Sequence, residues 1–116
     1  MEFELSRRED AGVIVVTARG AIDLNNGSAL EQVLHGAVAA GKPVVVDTCA
    51  VEVIDSTGLR VLLDARSSLS RRGLGFALAC GADGSVARLL SVAGAARFLR
   101  QFPSVAEAVT ALRGER

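Results

Sequence analysis

Two runs of consecutive β-branched residues, Val13-Ile14-Val15-Val16 and Val44-Val45-Val46, constrain this chain's fold more than any other feature. A strand with one wet face alternates apolar and polar side chains, so an unbroken apolar run needs cover on both faces. Elsewhere the apolar residues fall at helical spacing: Leu30, Val33, Leu34, Ala37, Val38; then Leu59, Leu62, Leu63, Leu69; then Val86, Leu89, Leu90, Ala93; then Val105, Ala108, Val109, Leu112. Strands and helices alternating in this way imply largely parallel, right-handed crossovers with the helices packed on a sheet.

The element boundaries follow from local signals. Phe3-Glu4-Leu5-Ser6-Arg7 alternates like a strand, and Asp10-Ala11-Gly12 turns it into a second strand over 13–18. Residues 20–27 read as a loop, and a first helix is expected over 28–40, ended by Gly41 and Pro43. Val44-Val45-Val46 is expected to be a short strand closed by Asp47, followed by a loop and a second helix from Thr57 to Arg72. Phe76-Ala77-Leu78-Ala79 is the next strand, and Gly81-Ala82-Asp83-Gly84-Ser85 a turn into the third helix. Arg97-Phe98-Leu99 suggests a short edge strand before a last helix over 104–113. The expected fold is α/β, in the order ββαβαβαβα: a mixed sheet of four to five strands with four helices, as a single domain over residues 1–116.

Charge and composition remove several functions. Thirteen basic and thirteen acidic side chains cancel, and only four residues are aromatic. There is neither the basic excess nor the stacking platform of a nucleic-acid binder, so no nucleic-acid partner is expected. No apolar run approaches a membrane span, and the alternating, acidic Met1-Glu2-Phe3-Glu4-Leu5 is unlike a signal peptide. A cytoplasmic protein without direct membrane insertion is expected. His35, the one histidine, has no cysteine or acidic pair at ligand spacing, so it reads as a surface or half-buried helix residue and no metal or other cofactor is expected. The single lysine, Lys42, precedes a strand, which excludes a receiver-type phosphorylation site, and the glycine turn at 81–85 lacks the lysine of a phosphate-binding loop. Ser56 with Asp55 and no nearby base is no nucleophilic triad, so neither a catalytic residue nor enzyme activity is expected.

The informative stretch runs from Val44 to Leu63. After Asp47 it reaches Ile54-Asp55-Ser56-Thr57-Gly58 at the mouth of the second helix. Asp, Ser and Thr in succession offer oxygens to the unpaired N–H groups of a first helical turn, and Ile54 is placed to pack back onto the helix. Gly58 leaves the turn bare, so another molecule could approach the backbone. One reading is a plain helix cap by Asp55 or Ser56. The other is a regulatory hydroxyl: a phosphate there is favoured by the helix dipole and would add about −1.5 to −2 charge beside Asp55.

The run Ile54-Asp55-Ser56-Thr57-Gly58-Leu59, after a strand ending in Asp47, resembles the signature loop of bacterial STAS-domain anti-anti-sigma factors. Gly20-Ala21-Ile22-Asp23 resembles that family's turn before its first helix, and Phe102-Pro103-Ser104-Val105-Ala106-Glu107-Ala108 its approach to the last one. The resemblance covers nearly the whole chain and implies an anti-sigma factor antagonist that switches partners. The unphosphorylated form would bind an anti-sigma factor that is also a serine kinase, releasing a sigma factor. Phosphorylation on Ser56, with Thr57 as second choice, would end that binding until a phosphatase acts on phospho-Ser56. The partner surface is expected to comprise Asp23, Asp55, Ser56, Thr57 and Gly58, with Arg60 and Asp64 around it. Asp23 can equally be a loop residue bonding its own backbone, and Arg60 and Asp64 an exposed i, i+4 pair. Two other uses of the same fold are a subunit of an ABC-type lipid transport complex and a part of a stress-signalling assembly, neither switched by phosphate. Finally, Cys49 lies in the signature segment and Cys80 just past the next strand. They are expected to be thiols in a reducing compartment, with a redox role only if the third and fourth strands bring them together.

Overall fold

Both valine runs become interior strands of one sheet. The computed structural model describes residues 3–79 and 84–114. Its strands are β1 (Glu4–Asp10), β2 (Val13–Ile22), β3 (Val44–Ile54), β4 (Phe76–Ala79) and β5 (Arg100–Phe102), side by side in that order. β1 is antiparallel to β2, and every later pairing is parallel, which makes the sheet mixed. Helices α1 (Gly27–Ala39), α2 (Ser56–Arg71), α3 (Ser85–Ala93) and α4 (Val105–Arg113) complete the expected α/β order.

The unbroken apolar runs are explained by cover on both faces. Ile14, Val16, Val44, Val46, Phe76 and Leu78 point into a core shared with Leu30 and Leu34 of α1, Leu62 and Leu69 of α2, and Leu90 of α3. The alternate residues Val13, Val15, Val45, Ala77 and Ala79 point the other way, under Ala108, Val109 and Leu112 of α4. Parallel, sequential strands with right-handed crossovers put the three connecting helices on one side, leaving the last helix to cover the other.

β2 runs on to Ile22 through residues read as loop, and two further expectations about strands are corrected. β3 does not close at Asp47 but continues to Ile54 alongside β2. Its register slips twice: Thr17 pairs with Asp47 but Arg19 with Ala50, and Gly20 pairs with Val51 but Ala21 with Val53. Each slip inserts one extra residue in β3, as in a β-bulge. At the first, the Cys49 N–H donates to Asp47 Oδ1 at 3.1 Å, so Asp47 marks an irregularity within the strand and not its end. Beyond Asp47, β3 has no register partner in β4 among the described residues. Thr48 Oγ1 bonds the Ala79 carbonyl at 3.1 Å, and the Ser85 hydroxyl reaches the Glu52 carbonyl. The second correction concerns Arg97-Phe98-Leu99. Residues Ala96–Phe98 form one turn of 3-10 helix, and the edge strand starts at Arg100, with Leu99 buried between them. Cys80 and the turn residues 81–83 lie outside the described residues.

The β1–β2 hairpin turns through Ala11 and Gly12, with φ of 52° and 81°. Two positive φ angles in a two-residue loop give the turn whose twist matches the strands, and asparagine tolerates the first position better than alanine. Ala11→Asn is expected to raise unfolding free energy by about 0.5–1 kcal/mol in a urea melt. An unchanged or lower midpoint would show that the turn carries no strain.

Candidate functional site

β2 and β3 run on together past the end of β4, and their last residues, Ile22 and Ile54, are register partners. Two connections leave from that point. Asp23, Leu24, Asn25 and Asn26 lead into α1, while Asp55 alone leads into α2. The Asp55 N–H donates to the Ile22 carbonyl at 3.1 Å and ties the two departures together.

Asp55 caps α2. Its Oδ1 accepts from the N–H groups of Thr57 at 2.9 Å and Gly58 at 3.2 Å, and its carbonyl accepts from Leu59 at 3.1 Å. Such a cap contributes about 1 kcal/mol. Since the carboxylate does the capping, the Ser56 hydroxyl is left without a hydrogen-bond partner among the described residues, and Ser56 is exposed. Ile54, just before the cap, and Leu59, four residues after it, share the buried cluster in the arrangement of a hydrophobic staple.

Gly58 is not part of the exposed surface expected of it. It is buried, and a Cβ there would lie 2.7 Å from Ile22 Cγ2 and 2.8 Å from Ile54 Cγ1. The strand ends beneath require the glycine, which leaves little of its own surface exposed. Thr57 is half-buried, and its methyl carbon lies 3.0 Å from where a Cβ on Gly27 would stand, so the first turns of α1 and α2 almost touch.

Asp23, also half-buried, accepts through Oδ1 from the Asn25 N–H at 2.9 Å, the local loop bond expected of an Asp here. Its carbonyl accepts from Asn26 at 3.2 Å and Gly27 at 2.9 Å. Asn26 then brackets the loop: its Oδ1 accepts from the Asp23 N–H at 2.9 Å, and its Nδ2 donates to the Ala21 carbonyl at 2.7 Å. The strand ends thus bring Asp23, Asp55, Ser56 and Thr57 to one surface, where neither connection carries a basic residue.

Arg60 and Asp64 face one another across a turn of α2, Nη1 to Oδ2 3.4 Å, each more than half exposed. An exposed pair of this kind contributes a few tenths of a kcal/mol. His35 is exposed on α1, and Cys49 is exposed on β3. The expected partner of Cys49, Cys80, lies outside the described residues.

Two residues went unread in the sequence. Asn26 had a signal in its position, a side chain with both donor and acceptor just before a helix start. Leu24 had one too, as an apolar residue in an otherwise polar loop; it is 79% exposed.

Gly58→Ala is expected to lower stability by about 1–3 kcal/mol in urea titration, because the added methyl must displace two strand-end isoleucines. A neutral effect would mean that α2 shifts freely. Asn26→Ala removes both bracketing bonds and is expected to cost about 1–3 kcal/mol. A loss below that, with unchanged amide exchange at Asp23, would show the bracket to be dispensable.

A family model described as the STAS domain matches residues 4–108. Over 108 residues the chain is 36% identical to the anti-sigma-F factor antagonist RsfB of Mycobacterium tuberculosis, an alignment covering 90% of this chain and 85% of that protein. The crystal structure of an anti-sigma factor antagonist from Mycobacterium paratuberculosis superposes with a TM-score of 0.88 at 29% identity, covering 97% of this chain and 95% of the other. The anti-sigma factor antagonist SpoIIAA in its unphosphorylated form has the same fold, with a TM-score of 0.77 at 15% identity and 99% of each chain covered.

Proposed function

The chain belongs to the STAS domain family, and on that premise we propose that it is an anti-sigma factor antagonist whose hold on its partner is switched by phosphorylation of Ser56. Unphosphorylated, it binds an anti-sigma factor that is also a serine kinase and so releases a sigma factor. The observation that carries this reading is the division of labour at the start of α2: Asp55 satisfies the helix amides, leaving Ser56 exposed with its hydroxyl uncommitted.

The modification is a simple transfer. Ser56 Oγ attacks the γ-phosphorus of ATP held by the kinase, its proton passes to a base there, and ADP leaves. The product adds about −1.5 to −2 charge at a helix N-terminus that already holds a carboxylate. The dipole and the amides favour an anion, so the fold tolerates it. Yet the amides of Thr57 and Gly58 are already bonded to Asp55, so the new group stands outward beside Asp55 on the surface shared with Asp23. Added negative charge and bulk there oppose a close partner without disturbing the core. A phosphatase acting on phospho-Ser56 resets the switch. Thr57 is the second candidate, with its methyl turned toward Gly27 and its side chain half-buried. Asp23, Asp55, Ser56 and Thr57 form the centre of the partner surface, with Arg60 and Asp64 at its edge.

With ATP, Mg²⁺ and the host's anti-sigma kinases, intact mass is expected to show one phosphate on the wild type and none on Ser56→Ala. Ser56→Ala should keep its affinity for the partner. Ser56→Asp should lose at least about tenfold, equivalent to about 1.4 kcal/mol, with an unchanged melt. Phosphate retained on Ser56→Ala moves the site to Thr57. No phosphate on the wild type defeats the switch and favours the unswitched roles in lipid transport or a stress assembly. Charge reversal at Arg60 and at Asp64, each followed by a binding titration, is expected to alter affinity; no change in either would confine the surface to the strand ends.

A further inference from the structure

We propose that Leu24 is the apolar anchor of the partner contact, a leucine held out from the protein that seats on binding in a concave apolar pocket of the anti-sigma factor. This rests on the reading of the Ser56 surface given above and adds to it the contact that supplies affinity.

Leu24 is 79% exposed, whereas each of the other leucines is either buried or packed partly against the main core. Its exposure does not come from a slack loop. Asp23 on one side is bonded through its N–H, its carbonyl and its carboxylate, and the Asn25 N–H on the other side is bonded to Asp23 Oδ1. Asn26 fastens the loop to the Ala21 carbonyl. The backbone around Leu24 is therefore held by its neighbours' hydrogen bonds before any partner arrives. An apolar group presented in this way loses little freedom on binding, which leaves more of its burial to appear as affinity.

The position ties Leu24 to the switch. The carbonyl of Ile22, two residues earlier, receives the Asp55 N–H, and Asp55 precedes Ser56. A partner that covers Leu24 is thus brought over the strand ends where the phosphate would project.

The occupant is a different protein and not a second copy. A two-fold pairing places the same patch against itself. Here that would bring the Asp23 and Asp55 carboxylates of both copies into one interface, where neither connection carries a basic residue and Arg60 at the edge is already paired with Asp64. The second exposed apolar side chain of comparable exposure, Val92 at 82%, lies on α3 outside this surface and serves as an internal comparison.

The test titrates the full unphosphorylated chain with each purified anti-sigma factor of the host. Leu24→Ala is expected to weaken binding about 10- to 100-fold with an unchanged thermal melt, since the side chain is not part of the core. Val92→Ala should bind as the wild type does. Affinity within twofold of wild type for Leu24→Ala overturns the proposal, and so does an equal loss in Val92→Ala. Sedimentation showing a wild-type dimer that Leu24→Ala disperses also overturns it, by assigning the leucine to self-association. Ser56→Asp, measured alongside, separates the two claims. If it binds fully while Leu24→Ala does not, the switch falls and the anchor stands; the reverse leaves the switch and removes the anchor. Failure of the wild type to bind any anti-sigma factor overturns both.

Discussion

Gly58 sits where a single methyl group would lie within 3 Å of both Ile22 and Ile54. That contact sets the first turn of α2 directly on the ends of two parallel strands, and most of the candidate site follows from it. A helix start pressed this close needs a cap that occupies little space, and Asp55 supplies one from the single residue left between strand and helix. The same closeness brings α2 against α1 at Thr57 and Gly27. The N–H of Asp55 meanwhile bonds the last residue of the neighbouring strand. The two loops are therefore not independent.

This rigidity bears on how a small chemical change could act. A flexible loop would absorb an added charge by moving, and a partner could follow it. Here Asp23, Asn26 and Asp55 each have backbone or side-chain bonds that hold them in place, so the phosphate proposed at Ser56 would stand beside groups that do not readily move away. Its repulsion would then act against whatever approaches from outside. The main core, formed by α1, α2 and α3 on one face, and the smaller one under α4 on the other, lie below the strand ends and need not respond.

What could be read from the sequence divides along physical lines. Valine runs report burial on both faces, so the sheet and the apolar sides of its helices were legible, as was Gly41 with its positive φ after α1. The second half of β3 was not. Its buried residues are Thr48, Val51 and Ile54, spaced by three, because two inserted residues break the alternation that identifies a strand. Arg97-Phe98-Leu99 failed differently: Leu99 is buried and the others exposed, a pattern that a strand and a 3-10 turn share. Gly58 was noticed as a point of close approach, but the strand ends beneath it were not foreseen. A glycine shows that something comes close, and the sequence does not say whether it comes from below or above. Leu24 and Asn26 were missed because exposure and hydrogen-bond partners are properties of the folded loop.

The order of Asp55 and Ser56 has a consequence that composition alone would hide. Serine and aspartate cap helices about equally well, so stability does not distinguish Asp-Ser from Ser-Asp. Accessibility does. A serine at the cap position would spend its oxygen on the amides of the first turn, and its hydroxyl would sit inward against the backbone. With aspartate there, one carboxylate oxygen takes both amides, and the next residue begins the helix with its side chain outward and nothing to bond. The cap thus performs two tasks at once, holding the helix start over the strand ends and keeping a hydroxyl in reach of solvent. The arrangement also fixes the competition that a phosphate would meet. The anion nearest the helix amides is already present and bonded, so a second one beside it would stand away from the helix. It would alter the surface that Asp23, Leu24 and Asp55 present without requiring the sheet to move.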